Sequence, residues 1–253
     1  MSKPRHKISF SQKRPVLTVV IIELLLLLAV AAAGTYATLQ ELSYTAPVLI
    51  SFIPIALMLV VYFTVKQKWS YLGFKSLGSI PAGNWIYYAP LLLVLITISL
   101  KGFRAISVSE VLFFIFFTLL VGFVEESIYR GLILKTLLAK GVKTAVITST
   151  ILFSITHVLN ALSGQDTAQT ILQVVYALLL GAVLALLMVK NDNIIPLILF
   201  HFVHNLIQFV GNDNSSAFIG YDLFILGVLA VQTVWLALSF KKTSVSSRLN
   251  QAS

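Results

Sequence analysis

Glu125, Glu126 and Arg130 stand at the end of a long apolar run, Val111 to Val124. Ionised side chains at membrane depth cost a few kcal/mol each even on the mildest scale, so they normally face a bundle interior, pair, and mark function. On a helix, Glu126 and Arg130 are four apart and share a face, whereas Glu125 points about 100° away from Glu126. The two carboxylates are therefore expected to differ: Glu126 neutralised by Arg130 in an internal ion pair, Glu125 projecting into a cavity as a base or ligand. Taken alone, the trio reads equally well as a buried structural network, or as an interfacial cluster with Lys135.

Two further apolar stretches add imidazoles. Phe153-Ser154-Ile155-Thr156-His157 places Phe153 one turn before His157, and His201-Phe202-Val203-His204-Asn205 places Asn205 one turn after His201. A lone histidine in such a place is more often a hydrogen-bonded core residue. Depth argues for more. Counted from the nearest lysines, Glu125 lies about 15 Å from Lys135, His157 about 21 Å from Lys143, and His201 about 16 Å from Lys190. A carboxylate and two imidazoles in one layer can bind and deprotonate a water, with or without a metal.

The elements that must hold these groups are membrane helices. Hydrophobic residues make up 58% of the 253 and charged ones only 11%, with a mean hydropathy of +0.94; a soluble domain could not hide that surface. Eight spans are expected, at about Val16–Tyr36, Ala46–Val65, Trp85–Leu100, Val108–Leu134, Thr144–Leu162, Ala168–Val189, Ile194–Val210 and Phe218–Phe240. Turn signals separate them, among them Lys140-Gly141, Ser163-Gly164, Asn191-Asp192-Asn193 and Gly211-Asn212-Asp213-Asn214. The fold class is thus all-α, a polytopic membrane bundle. Residues 1–15 form a basic tail, 16–240 the membrane domain and 241–253 a second tail.

The net charge of +9 points to anionic lipid rather than nucleic acid, because of where the cations fall. Threading eight spans with both termini cytoplasmic puts the tail basics, Lys66, Lys68, Lys75, Lys135, Lys140, Lys143, Lys190, Lys241, Lys242 and Arg248 on the cytoplasmic side. Lys101 and Arg104 alone lie outside. Leu24–Val30 followed by Ala31-Ala32-Ala33-Gly34 has the outline of a cleavable leader, but the length of the run favours an anchor. Glu23 within it has no assigned task. No cysteine is present, which excludes thiol nucleophiles and thiolate metal sites.

In order, spacing and setting, Glu125-Glu126-x-x-x-Arg130, Phe153-x-x-x-His157 and His201-x-x-x-Asn205 resemble the motifs of the CPBP intramembrane protease family, also called the CAAX protease and bacteriocin-processing or Abi family. The resemblance covers about 111–209. It implies a water-filled chamber open toward the cytoplasm, with Glu125 activating water and His157 and His201 as metal ligands or water-positioning groups. Asn205 becomes an oxyanion donor, with Glu126 and Arg130 in support. Glu125, His157 and His201 would also serve as ligands of a divalent metal such as zinc, although no H-E-x-x-H helix is present.

The expected activity is hydrolysis of a membrane-associated or bacteriocin-like peptide in a multi-pass protein of a bacterial plasma membrane, with lipid and the peptide as partners. Two rivals fit the same charges: a non-catalytic bacteriocin self-immunity protein, and a small transporter with a buried ion pair. Gly181-x-x-x-Ala185 reads as a close-packing face, and Gly220-Tyr221-Asp222 is too short to indicate an aspartyl protease.

Overall fold

A computed structural model describes residues 9–162, 166–212 and 219–251. The expected tail basics Lys3, Arg5 and Lys7, the Ser163-Gly164 turn and Asp213-Asn214 lie outside the described residues. So do the side chains of Lys241, Lys242 and Arg248.

Eight principal helices follow one another: α1 (Pro15–Leu39), α2 (Ala46–Val65), α3 (Ala89–Ser99), α4 (Val108–Glu126), α5 (Val142–Thr156), α6 (Thr167–Asn191), α7 (Ile195–Val210) and α8 (Ile219–Gln251). A 3-10 turn, Ala82–Tyr88, leads into α3, and a π-helical segment, Ser127–Leu134, carries α4 onward. Among the described residues no strand forms beyond an isolated bridge between Phe103 and Gly211. Six of these segments are long and apolar enough to cross a bilayer, while α5 and α7 are shorter apolar helices. The protein is a multi-pass, all-α membrane bundle.

Local chemistry sets the ends. Proline occupies one of the first two positions of α1, α2, α3 and α7, where its missing N–H would be unpaired anyway. Ser107 and Glu110 form a capping box at the start of α4, and Asp166 caps α6. Asp192 closes α6 in the left-handed region, with φ 48°.

Several boundaries differ from expectation: α8 continues past Phe240 to Gln251, and the start of the expected third span, residues 85–88, lies in the 3-10 turn. The fifth span was expected to run to Leu162, but α5 stops at Thr156. Two side chains there bond back into the helix: the Thr156 hydroxyl donates to the Leu152 carbonyl at 2.9 Å, and His157 Nδ1 lies 2.9 Å from the Phe153 carbonyl. Such local bonds compete with further helical pairing, and His157 is left at the helix end.

The packing encloses α4. It lies against α7 and α2, while α5 packs on α6 and on the π segment, and α8 covers α6 and α3. Buried Val124, Ile128, Phe153, Leu184, Leu187 and Leu197 belong to one continuous core. Leu25, Leu28, Leu57, Val61 and Val231 are exposed, as expected of surfaces that meet lipid rather than water. Polar ties fasten the ends. Lys75 and Lys135 both pair with Asp192, and Asp222 pairs with Lys101. Asn193 Nδ2 donates to the Lys75 and Ser76 carbonyls and to Ser79 Oγ. Asn191-Asp192-Asn193, which reads in sequence as a plain turn, is a fastening between two loops.

Candidate active site

The geometry of the site starts from a close helix crossing. Gly122 sits on α4 where an added Cβ would lie 3.2 Å from the Ile198 carbonyl oxygen, 3.3 Å from the Phe202 nitrogen and 3.6 Å from His201 Cβ. Only a glycine lets α7 approach this closely, and the approach delivers His201 to the carboxylates one turn further along α4. Glu126 and Arg130 are fully buried. Arg130 Nη1 donates to Glu126 Oε1 at 3.0 Å, Nη2 donates to the Gly181 carbonyl at 3.4 Å, and the guanidinium lies 4.2 Å from the Phe153 ring centroid. The internal pair between Glu126 and Arg130 is present as spacing requires.

Glu126 has a second task. Its Oε1 also lies 2.9 Å from His201 Nδ1, while Glu125 Oε2 lies 3.5 Å from His201 Nε2. The two carboxylates do point differently, Glu126 into the core and Glu125 into a partly open space, yet both address one imidazole from its two sides. A carboxylate on Nδ1 fixes that nitrogen as the proton carrier and leaves Nε2 with its lone pair toward Glu125.

Phe153 is the hub. Its ring centroid is 5.2 Å from that of Tyr129, 5.0 Å from that of His157 and 6.1 Å from that of His201. Both imidazoles are thus gathered round one benzyl ring. His157 is half-buried, with Nδ1 on the Phe153 carbonyl, which leaves its Nε2 as the nitrogen available to a ligand. Gly181 makes room for this hub, since a Cβ there would sit 3.0 Å from Phe153 Cδ1. Asn205, also half-buried, follows His201 by one turn of α7.

Three participants had no role in the sequence. Tyr129 and Thr156 are hydrogen-bonded to each other through their hydroxyls, and Thr156 Oγ1 lies 3.3 Å from Glu23 Oε1. Glu23 is therefore turned inward, and it ties α1 to the end of α5 beside His157. Tyr129, four residues after Glu125, was the available signal.

Among the described residues, no group of three histidine, aspartate or glutamate side chains is arranged to hold a metal ion. Glu126 on His201 Nδ1 and the Phe153 carbonyl on His157 Nδ1 leave Glu125, His201 Nε2 and His157 Nε2 as the groups that would hold a metal were they drawn together.

Residues 107–207 match the family described as type II CAAX prenyl endopeptidase Rce1-like. The match covers about two-fifths of the chain and is a likeness of that stretch alone. No curated protein matches the chain. The matched stretch holds every site residue named above except Glu23, and it contains α4 to α6 and most of α7; α1 to α3 and α8 lie outside it and complete the bundle.

Proposed function

We propose that this protein is an intramembrane endopeptidase in which Glu125 and His201 activate a water for attack on a peptide carbonyl. The observation that carries the reading is the 3.5 Å approach of Glu125 Oε2 to His201 Nε2, with Glu126 on the other imidazole nitrogen. The carboxylate oxygen and the bare Nε2 are both acceptors, and two acceptors this close need a shared proton donor. A water molecule supplies one hydrogen to each.

The chemistry then follows from the chain's own groups. Glu125 takes one proton from the water as its oxygen bonds to the scissile carbonyl carbon, and the carbonyl oxygen becomes an oxyanion. Asn205 Nδ2 donates to that oxyanion, and His157 Nε2 holds the substrate or water on the far side of Phe153. Collapse breaks the C–N bond, and the proton held by Glu125 passes to the leaving amine.

The substrate class is a membrane-associated peptide reached from the cytoplasmic side, where the lysines of the bundle gather, in a bacterial plasma membrane. Family likeness favours either a lipidated C-terminal peptide or a bacteriocin-like peptide. The reading is tested in cells and with purified protein, using Glu125→Gln and His157→Ala at wild-type abundance. Both are expected to abolish processing of such a peptide. Wild-type processing, or wild-type peptide resistance, in both variants would favour the non-catalytic immunity role instead.

A further inference from the structure

An asparagine is an ambiguous oxyanion donor. Its two ends are nearly the same size, and only the NH2 end stabilises a negative oxygen; a rotated amide presents an acceptor and repels it. Something must hold Asn205 the right way round.

His204, the next residue back, is buried. Its Nδ1 lies 3.0 Å from Asn205 Oδ1, and its Nε2 lies 2.6 Å from the Tyr176 hydroxyl of α6. The tyrosine ring lies along the imidazole, with centroids 5.3 Å apart and planes at 29°, and Phe200 flanks the ring at 5.7 Å. Asn205 Nδ2 has no hydrogen-bond partner among the described residues.

Donor and acceptor bookkeeping selects one arrangement. Asn205 Oδ1 has no proton to give, so His204 Nδ1 carries it. Neutral imidazole then has a bare Nε2, which accepts from the Tyr176 hydroxyl, and every group in the chain is satisfied with Nδ2 left over. Rotating the amide reverses the order. His204 Nε2 would then donate to the tyrosine oxygen, and the phenol proton would lose the acceptor it has in this arrangement, which is unfavourable.

We propose that Tyr176 and His204 are positioning residues for Asn205: the phenol locks the His204 tautomer, and that tautomer holds the Asn205 amide with Nδ2 presented to the substrate oxyanion. The inference rests on the endopeptidase reading above. It assigns a task to a histidine at an open position of the third motif and to a tyrosine outside all three, and it places part of the oxyanion machinery on α6.

The test uses Tyr176→Phe, which keeps the ring and its stacking and removes only the hydroxyl. Losing an oxyanion donor typically lowers kcat about 10² to 10³-fold, so loosening one is expected to lower it about tenfold with KM within about twofold. In an Asn205→Ala background the same change is expected to cost nothing further. An unchanged kcat, or an equal loss in that background, overturns the proposal.

A second measurement does not depend on turnover. In full-length protein labelled with 15N-histidine in detergent micelles, the His204 signals are assigned by their loss in His204→Gln. Protonated Nδ1 and bare Nε2 are expected in the wild type, with mixed tautomers in Tyr176→Phe; protonated Nε2 in the wild type overturns the proposal whatever the activity. The two readings fail differently. A wild type that cleaves no peptide removes the endopeptidase reading and this role with it, whereas an active wild type with a fully active Tyr176→Phe removes the positioning role alone.

Discussion

At the scale of single residues, adjacent carboxylates should give opposite phenotypes. Glu125 reaches a partly open space and meets His201 only at 3.5 Å, so Glu125→Gln is expected to abolish cleavage while leaving the thermal midpoint in detergent little changed. Arg130 is the reverse. Removing one member of a fully buried pair leaves an uncompensated charge, so Arg130→Met is expected to destabilise by about 3–5 kcal/mol, read by thermal unfolding or loss of membrane abundance. A stable Arg130→Met would mean that the buried pair with Glu126 contributes nothing to the fold. The helical spacing in the sequence already separated these two acids, because four residues is one turn. It did not show that Glu126 would also grip His201, since nothing in a single sequence says how deeply α7 approaches α4.

At the scale of elements, that approach is set by glycine. Gly122→Ala puts a methyl group against backbone atoms of α7 at 3.2 and 3.3 Å, and backbone gives way far less easily than a side-chain tip. The helices must separate by a few tenths of an ångström, and the His201 contacts to both acids lengthen with them. The expected result is a loss of kcat of about tenfold or more, because catalytic groups work within narrow geometric limits. Gly34→Ala, on α1 with open space around it, is the matched control and should be neutral; equal losses in the two would remove the close-approach argument. The eight apolar segments were legible in the sequence because hydropathy is a property of composition. The stop of α5 at Thr156 was not, because it depends on Thr156 and His157 bonding into their own helix, against an apolar pattern that continues to Leu162. Nor was the inward turn of Glu23, which needs Thr156 as its partner on another helix.

At the scale of the whole molecule, Asp192 joins the loop after α2 to the end of the long α4 segment through Lys75 and Lys135. Partial burial works to raise its pKa, but hydrogen bonds from Lys135 and Lys75 together with their charges prevail and hold the carboxyl below its ordinary value. A depressed carboxyl pKa stabilises the fold above the unfolded-state value, and the contribution is lost as pH falls through the folded-state value. Stability is therefore expected to fall on acidification through the ordinary carboxylate range and below. Asp192→Asn should flatten that part of the profile; an unchanged profile would show that the fastening contributes nothing. Metal dependence also belongs at this scale. Among the described residues no three such donors converge on a metal position, so cleavage is expected to survive exhaustive chelation, and recovery of lost activity by zinc would mean that His157 moves to join Glu125 and His201.

The claim that Glu125 activates water for direct attack is tested most directly by single-turnover cleavage of a membrane-associated peptide in H2(18)O, followed by mass spectrometry of the new carboxyl terminus. The expected result is one 18O atom in the product of the wild-type protein and no product from Glu125→Gln. Product at the wild-type rate from Glu125→Gln, or a first-turnover product carrying no 18O, would contradict it.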